Sequence, residues 1–150
     1  MRYHETGGVH LDFHAAVNTA MEHLANKFGD DALREVLFKV GRDVYKSIRE
    51  GLAEGDVSEL LEFWDYFLKR ENGEYSLERT DEGAILTIKK CPAVARIKEL
   101  GHELSPSFCK QTEYMNIGLC AGTPYVIETR KTGEGSCVQV LRKRQKEESA

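Results

Sequence analysis

The sequence predicts an α+β fold, in which N-terminal helices pack on an antiparallel sheet built from two hairpins, with two helices between the hairpins. Apolar residues recur every three or four positions in the first half of the chain and later alternate with polar residues over short segments. Turns rich in Gly separate those later segments, as is typical of hairpins. We expect residues 1–150 to form one domain, with an ordered core over about 10–142 and a charged C-terminal tail that frays from Arg142.

The first helix is predicted from Leu11 to Phe28, and its apolar face extends backwards through His14 and His10. Gly29 ends it, and a second helix follows with one continuous apolar face over residues 33–52. A third helix begins at a capping box formed by Asp56 and Glu59, buries Trp64 and stops at Asn72-Gly73.

A hairpin over residues 75–89 turns at Asp81-Glu82-Gly83. Pro92 begins a short helix that reaches Leu100, and Ser105-Pro106 opens another that runs to about Cys120. Two final strands, over residues 125–130 and 137–141, flank the turn at Gly133-Glu134-Gly135. That turn is followed by a strand, so it lacks the helix N-terminus that a phosphate-binding loop needs.

Composition and net charge limit the classes of binding partner and the cellular compartment that we expect for this protein. The net charge of −4 argues against nucleic acid, and no apolar run reaches the roughly 18–20 residues of a membrane helix. Residues 1–8 lack the apolar segment of a signal peptide. We therefore expect a cytoplasmic protein whose four cysteines are thiols with a role in metal binding, catalysis or packing. A homodimer is left open.

His10 and His14 are four residues apart, which places two imidazoles one turn apart on a helix face, within reach of a shared metal or anion. The alternative is a half-exposed His10 and a His14 satisfied by a backbone carbonyl. An isolated HxxxH pair is a weak motif.

The helix after Pro106 carries a stripe of two thiols, a carboxylate and an amide: Cys109, Glu113, Asn116 and Cys120. A buried Glu must be paired or protonated, which favours a functional face. The stripe could instead face solvent, with its Cys residues acting as small apolar groups. If it lines a cavity together with the first helix, Glu113 and His14 would form an acid–base pair.

Cys91 precedes the Pro92 helix, whose positive N-terminal end can make a thiol a thiolate at neutral pH. A buried packing Cys is the alternative. Only Gly101 to Ser105 joins the helices next to Cys91 and Cys109, so these two thiols should lie close together. None of the Cys spacings forms the CxxC pairs of a zinc ribbon.

We expect Cys137 to serve packing, because Val138 and Val140 form the more apolar face of the last strand. In the alternative, Cys137 faces a cavity beside Glu128.

Four short segments of the chain resemble the L-2-amino-thiazoline-4-carboxylic acid hydrolase family in their order and spacing: Cys91-Pro92, Glu99-Leu100-Gly101, Ser105-Pro106-Ser107-Phe108-Cys109 and Thr132-Gly133-Glu134-Gly135-Ser136-Cys137. His14, Phe28-Gly29 and Trp64 also fit that family, so the resemblance covers about residues 10–142. The last segment, with Glu128, is similar to 4-vinyl-reductase-type ligand-binding domains. Where an Asp is expected after the second Cys, this chain has Thr112-Glu113, which keeps a carboxylate.

The resemblance implies hydrolysis of a C–N bond in a small cyclic amidine. Cys91, Cys109 and His14 would then supply a thiolate or bind a metal, with zinc and iron left open, and Glu113 would be the general base. His10, Asn116, Cys120, Glu128 and Cys137 would contact the ligand. Two alternatives remain: a binding module for a small ligand, metal or tetrapyrrole, and a purely structural or partner-binding domain.

Overall fold

The computed structural model describes residue 10 and residues 12–145, and it confirms the predicted α+β class. The α-helices of this range are α1 (Asp12–Phe28), α2 (Asp30–Lys39), α3 (Lys46–Glu54), α4 (Ser58–Arg70), α5 (Pro92–Glu99) and α6 (Lys110–Leu119). The strands are β1 (Glu74–Thr80), β2 (Gly83–Lys90), β3 (Tyr125–Gly133) and β4 (Ser136–Lys143). The first hairpin therefore follows the N-terminal helices, and α5 and α6 separate it from the second hairpin, as the sequence predicts. Within the described residues, no helix is both long and apolar enough to span a bilayer.

The predicted second helix is interrupted where it meets α6. Residues Val40–Val44 form a π-helical turn between α2 and α3, after which Tyr45 leaves the helical conformation. In this turn Gly41 lies so close to α6 that a Cβ there would be 2.1 Å from the carbonyl oxygen of Met115. Val44, the last residue of this turn, is 51% exposed although its spacing predicts a core position, and Val36 of α2, on the same predicted face, is 45% exposed.

The sheet is antiparallel with the strand order β1-β2-β4-β3, so the two hairpins join through β2 and β4. In this pairing Ala84 lies opposite Leu141, and Ile88 lies opposite Cys137. One face of the sheet is buried against α3 and α4 in a first core, which includes Ile48, Leu52, Leu60, Trp64, Leu86, Ile127 and Leu141.

A second core lies among α1, α2, α5 and α6 and contains Met21, Leu33, Leu37, Val94, Ile97, Phe108 and Tyr114. Three half-buried thiols pack against these clusters: Cys91 against both, Cys137 against the first and Cys109 against the second. The three thiols therefore lie along the boundary between the two cores.

The segment before α6 is fixed by α1. Asn18, buried in α1, accepts a hydrogen bond from the Ser105 backbone N–H at 2.9 Å and donates one to the Glu103 carbonyl oxygen at 2.9 Å. Residues 106–109 form turns, so α6 begins at Lys110 and not at Ser105-Pro106 as predicted. These turns bring Cys109 to the N-cap of α6.

The last strand is longer than the sequence predicts. β4 continues to Lys143, and the Arg144 backbone N–H donates to the Pro124 carbonyl oxygen at 2.8 Å. The expectation that the tail frays from Arg142 is therefore wrong. Residues 146–150 lie outside the described residues.

Candidate functional site

A cavity of about 490 Å³ opens where the two cores meet. Small-molecule sites typically enclose roughly 300–1,000 Å³, so this cavity is large enough for a metabolite. Its walls come from α1, the end of β2, the N-terminal turns of α5 and α6, and the β3–β4 hairpin. The lining residues are His14, Ile88, Cys91, Ala93, Val94, Pro106, Phe108, Cys109, Lys110, Gln111, Thr112, Glu113, Thr129, Lys131, Gly135, Ser136 and Cys137.

Three of the four cysteines line this cavity, and all four are free thiols. Cys91 is the N-cap of α5, Cys109 is the N-cap of α6, and Cys137 lies in β4. Burial is the largest cause that raises the pKa values of Cys137 and Cys91; the electrostatic effect of Cys91 and Cys109 raises that of Cys137 further, and the effect of Cys109 raises that of Cys91. The three thiols therefore share one electrostatic environment.

Burial raises the pKa of the Cys91 thiol. The backbone N–H groups of Val94 and Ala93 act in the opposite direction, but no side-chain hydrogen bond caps α5 at Cys91, and the net shift is upward. The expectation of a thiolate at neutral pH is therefore wrong. Loss of hydration outweighs the positive end of the short helix.

Cys137 packs against the first core and also lines the cavity, but the Val138 and Val140 face of β4, expected to be the core face, is the less buried one. Gln139 and Leu141, which share its face of β4, are 4% and 1% exposed, whereas Val138 and Val140 are only half-buried. The Val face is thus the outer face of the sheet. Burial raises the pKa of the Cys137 thiol to about 11.

Glu128 does not accompany Cys137. It lies opposite Val140 in the β3–β4 register, on the outer face of the sheet. It is exposed, and Arg142 Nε donates a hydrogen bond to its Oε1 at 3.0 Å. The expected ligand-binding role of Glu128 in this cavity is therefore wrong.

His14 is held on the cavity wall by Glu71. Its Nε2 lies 2.7 Å from Glu71 Oε2, and the two side chains are 17% and 12% exposed. Glu71 follows the last residue of α4 and also acts on the pKa of Cys91, so the contact between His14 and Glu71 lies near that thiol. The sequence analysis missed Glu71, because no spacing rule links residue 14 to residue 71.

Glu113 lines the cavity as expected, but at its exposed rim. The carboxylate that His14 contacts is that of Glu71, so the expected pairing of His14 with Glu113 is wrong. The neighbouring Lys110 is tied to Asp30, with Nζ and Oδ1 2.5 Å apart. The hydrogen bonds from Lys110 and from Tyr114 lower the pKa of Asp30.

The other two residues of the stripe on α6, Asn116 and Cys120, lie in the interior of the protein. Asn116 is buried and donates hydrogen bonds to Gln139 and Thr129. Cys120 is 1% exposed in the first core, and burial raises its pKa to about 11. Neither residue lines the cavity, so their expected contact with a ligand there is wrong. The first two residues of the stripe therefore line the cavity, whereas the last two pack against the sheet and the first core.

His10 is exposed and precedes α1, and its carbonyl oxygen accepts a hydrogen bond from the Phe13 backbone N–H. It therefore does not share a helix face with His14. Among residues 10 and 12–145, no three His, Cys, Asp or Glu side chains are grouped so that they could hold a metal ion. The donor set expected for zinc or iron (Cys91, Cys109 and His14) does not fit a metal in this arrangement.

The chain was compared with family models, with curated proteins and with solved structures, and none of them matches it.

Proposed function

We propose that this protein is a small-molecule hydrolase that opens a C–N bond of a cyclic amidine in the thiol-lined cavity. The observation that carries the proposal is the 2.7 Å contact between His14 Nε2 and Glu71 Oε2 on the wall of that cavity. A histidine oriented by a carboxylate beside a thiol is the arrangement that activates a nucleophile in many unrelated hydrolases.

The hydrogen bond to Glu71 determines what His14 can do. When Nε2 donates its hydrogen to Glu71, the free lone pair lies on Nδ1, which becomes the general base. The Glu71 carboxylate then stabilises the imidazolium that forms on proton uptake. Both side chains are largely withdrawn from water, which strengthens this stabilisation.

Cys91 is the nucleophile of the proposed reaction. Its thiol is neutral at pH 7, so it needs a base. Glu71, which contacts His14, also acts electrostatically on the Cys91 thiol, so both lie close to the histidine. His14 takes the thiol proton, and the sulfur adds to the amidine carbon. The C–N bond then breaks as the imidazolium protonates the departing nitrogen. A water molecule, deprotonated by His14, releases the product and restores the thiol, so one water is consumed in each turnover.

The resemblance to the thiazoline-carboxylate hydrolases supports this proposal. Cys91, Cys109 and His14, the residues carried over from it, line one cavity although they lie far apart in the sequence. Glu71 takes the place proposed for Glu113 as the carboxylate beside the histidine.

A non-catalytic binding module is the second candidate. One side of the cavity is apolar, with Ile88, Val94 and Phe108, and the pKa values of Cys91 and Cys137 are raised and not lowered. Those features suit retention of a small ligand without turnover.

Turnover of L-2-amino-thiazoline-4-carboxylate, followed by mass spectrometry of the ring-opened product, tests the proposal. We expect His14→Ala and Cys91→Ser to lower the rate about 10²-fold or more. His10→Ala is the matched control, because His10 is exposed and lies off the cavity, and it should retain the wild-type rate. Binding without turnover by the wild type would favour the binding module. A Soret band or bound metal in the purified protein would favour its tetrapyrrole or metal form.

A further inference from the structure

The cavity lining includes one lysine whose side chain has no partner among the described residues. Lys131 lines the cavity from β3, is exposed, and its ammonium group makes no hydrogen bond or ion pair within residues 10 and 12–145. The other two nitrogen-bearing basic side chains of the lining already have partners, since Lys110 is bound to Asp30 and His14 to Glu71.

The position of Lys131 is set by the sheet. It lies directly opposite Cys137 in the antiparallel register of β3 and β4, so the two side chains project from the same face. Its neighbour Arg130 lies opposite Val138 and projects from the outer face. The ammonium group of Lys131 is therefore carried on the strand that borders the thiols, and the guanidinium group of Arg130 is not.

A lysine without a direct partner at the edge of an apolar and thiol-lined cavity attracts a ligand of opposite charge. A single lysine provides one positive charge and suits a monoanionic carboxylate. A phosphate is usually bound by several donors or by a bidentate arginine. Glu113, the carboxylate of the lining, is exposed like Lys131, and the two side chains form no ion pair.

We propose that Lys131 binds the carboxylate of small acidic ligands in this cavity and thereby selects anionic over neutral molecules. This inference deepens the proposed function, since it assigns the charge of the ligand for the same cavity. Lys131 is a specificity residue here and takes no part in proton transfer.

Alkylation of the cavity thiols tests the inference without requiring turnover. Iodoacetate carries a carboxylate and iodoacetamide does not, while both alkylate the same thiolate. The thiolate fraction of a given cysteine enters both alkylation rates, so it cancels in their ratio. The measurement is made on the full chain at pH 8.5, with Cys137 and Cys109 followed by peptide mass spectrometry.

We expect Lys131→Met to lower the iodoacetate-to-iodoacetamide ratio about fivefold, as the loss of one nearby charge in a partly screened site predicts. Lys131→Arg should preserve the ratio, and so should Arg130→Met, which removes the same net charge from the other face. An unchanged ratio in Lys131→Met would overturn the inference. An equal fall in Arg130→Met would also overturn it, because the effect would then come from net charge.

The hydrolase proposal can fail separately. If the wild type does not turn over the thiazoline but the ratio responds to Lys131 alone, the carboxylate site remains and the catalytic assignment is wrong. If the wild type turns over the thiazoline but Lys131→Met leaves the alkylation ratio unchanged, the hydrolase proposal stands and the role assigned to Lys131 is wrong.

Discussion

Asn116 of α6 and Gln139 of β4 are joined by a buried hydrogen bond, in which Asn116 Nδ2 donates to Gln139 Oε1 at 2.8 Å. The same amide donates to Thr129 Oγ1 at 3.2 Å. The helix that begins after Cys109 is thereby fastened to the strand that carries Cys137.

Replacement of Asn116 should therefore affect stability and not chemistry. Asn116→Leu leaves Gln139 Oε1 buried without its donor, and we expect a loss of about 1–3 kcal/mol in the free energy of unfolding, measured by urea denaturation. The double variant Asn116→Leu/Gln139→Leu removes both polar partners and should recover part of that loss. Loss of turnover in a fully stable Asn116→Leu variant would instead place this residue in contact with the ligand.

Glu71→Gln should lower turnover about 10²-fold or more while the fold is retained, because the neutral amide no longer stabilises the imidazolium of His14. Steady-state kinetics and circular dichroism check the two halves of this prediction. Glu74→Gln is the control, since Glu74 is an exposed residue three positions further along. Wild-type turnover in Glu71→Gln together with its loss in Glu113→Gln would show that the rim carboxylate is the functional one.

The pH dependence of Cys137 alkylation should reflect its dehydrated position. Because burial raises its pKa to about 11, its thiolate fraction increases throughout the interval from pH 8 to 10.5. We expect its alkylation rate by iodoacetamide to rise over that whole interval, whereas glutathione, a thiol in solution, levels off by about pH 10. A plateau for Cys137 by about pH 10 would contradict the burial of its sulfur.

Mild oxidation should join two of the cavity thiols. We expect diamide to convert two of Cys91, Cys109 and Cys137 into one internal disulfide, with two hydrogens passing to the reagent, because the three line one cavity. Cys120, buried in the first core, should stay reduced and acts as an internal control. Peptide mapping identifies the pair, and a purely intermolecular product would show that these sulfurs do not approach one another.

The contact of α6 with the end of α2 and the π-helical turn leaves no space for a side chain at Gly118. A Cβ at this position would be 2.2 Å from the Phe38 carbonyl oxygen, so Gly118→Ala should lower the free energy of unfolding by about 2 kcal/mol or more. Gly51→Ala is the matched control on another helix, since its nearest neighbour would be 3.3 Å away. The two are compared by thermal unfolding, and equal stability of the two variants would contradict the close packing.

The sequence predicts the fold well because its signals are local. The change from helical to alternating periodicity places both hairpins, and Pro92 and Gly101 delimit α5. The π-helical turn escapes this reasoning, because it lies where Gly41 meets Met115 of α6, a contact between residues far apart in the sequence. A continuous apolar stripe carries no sign of such a contact.

The site is predicted less completely, for two physical reasons. Hydropathy favours the Val face of β4 as the core, and it cannot show that Gln139 is buried at low cost because Asn116 satisfies it. The partner of His14 depends on how α1 packs against the end of α4, and Glu71 stands at that point without any motif around it. The convergence of Cys91 and Cys109 is accessible from the sequence because the chain between them is short.

The hydrogen bond from the Cys91 N–H to the Gly135 carbonyl oxygen, at 2.7 Å, has a consequence for the order in which the protein matures. It ties the start of α5 to a turn more than forty residues further along the chain. During synthesis the N-terminal helices can collapse early, whereas this contact must await the emergence of the β3–β4 hairpin from the ribosome. The three cavity thiols are therefore brought together only in a late step of folding. A nascent chain that ends before β4 contains Cys91 and Cys109 but lacks the β3–β4 hairpin that completes the cavity wall.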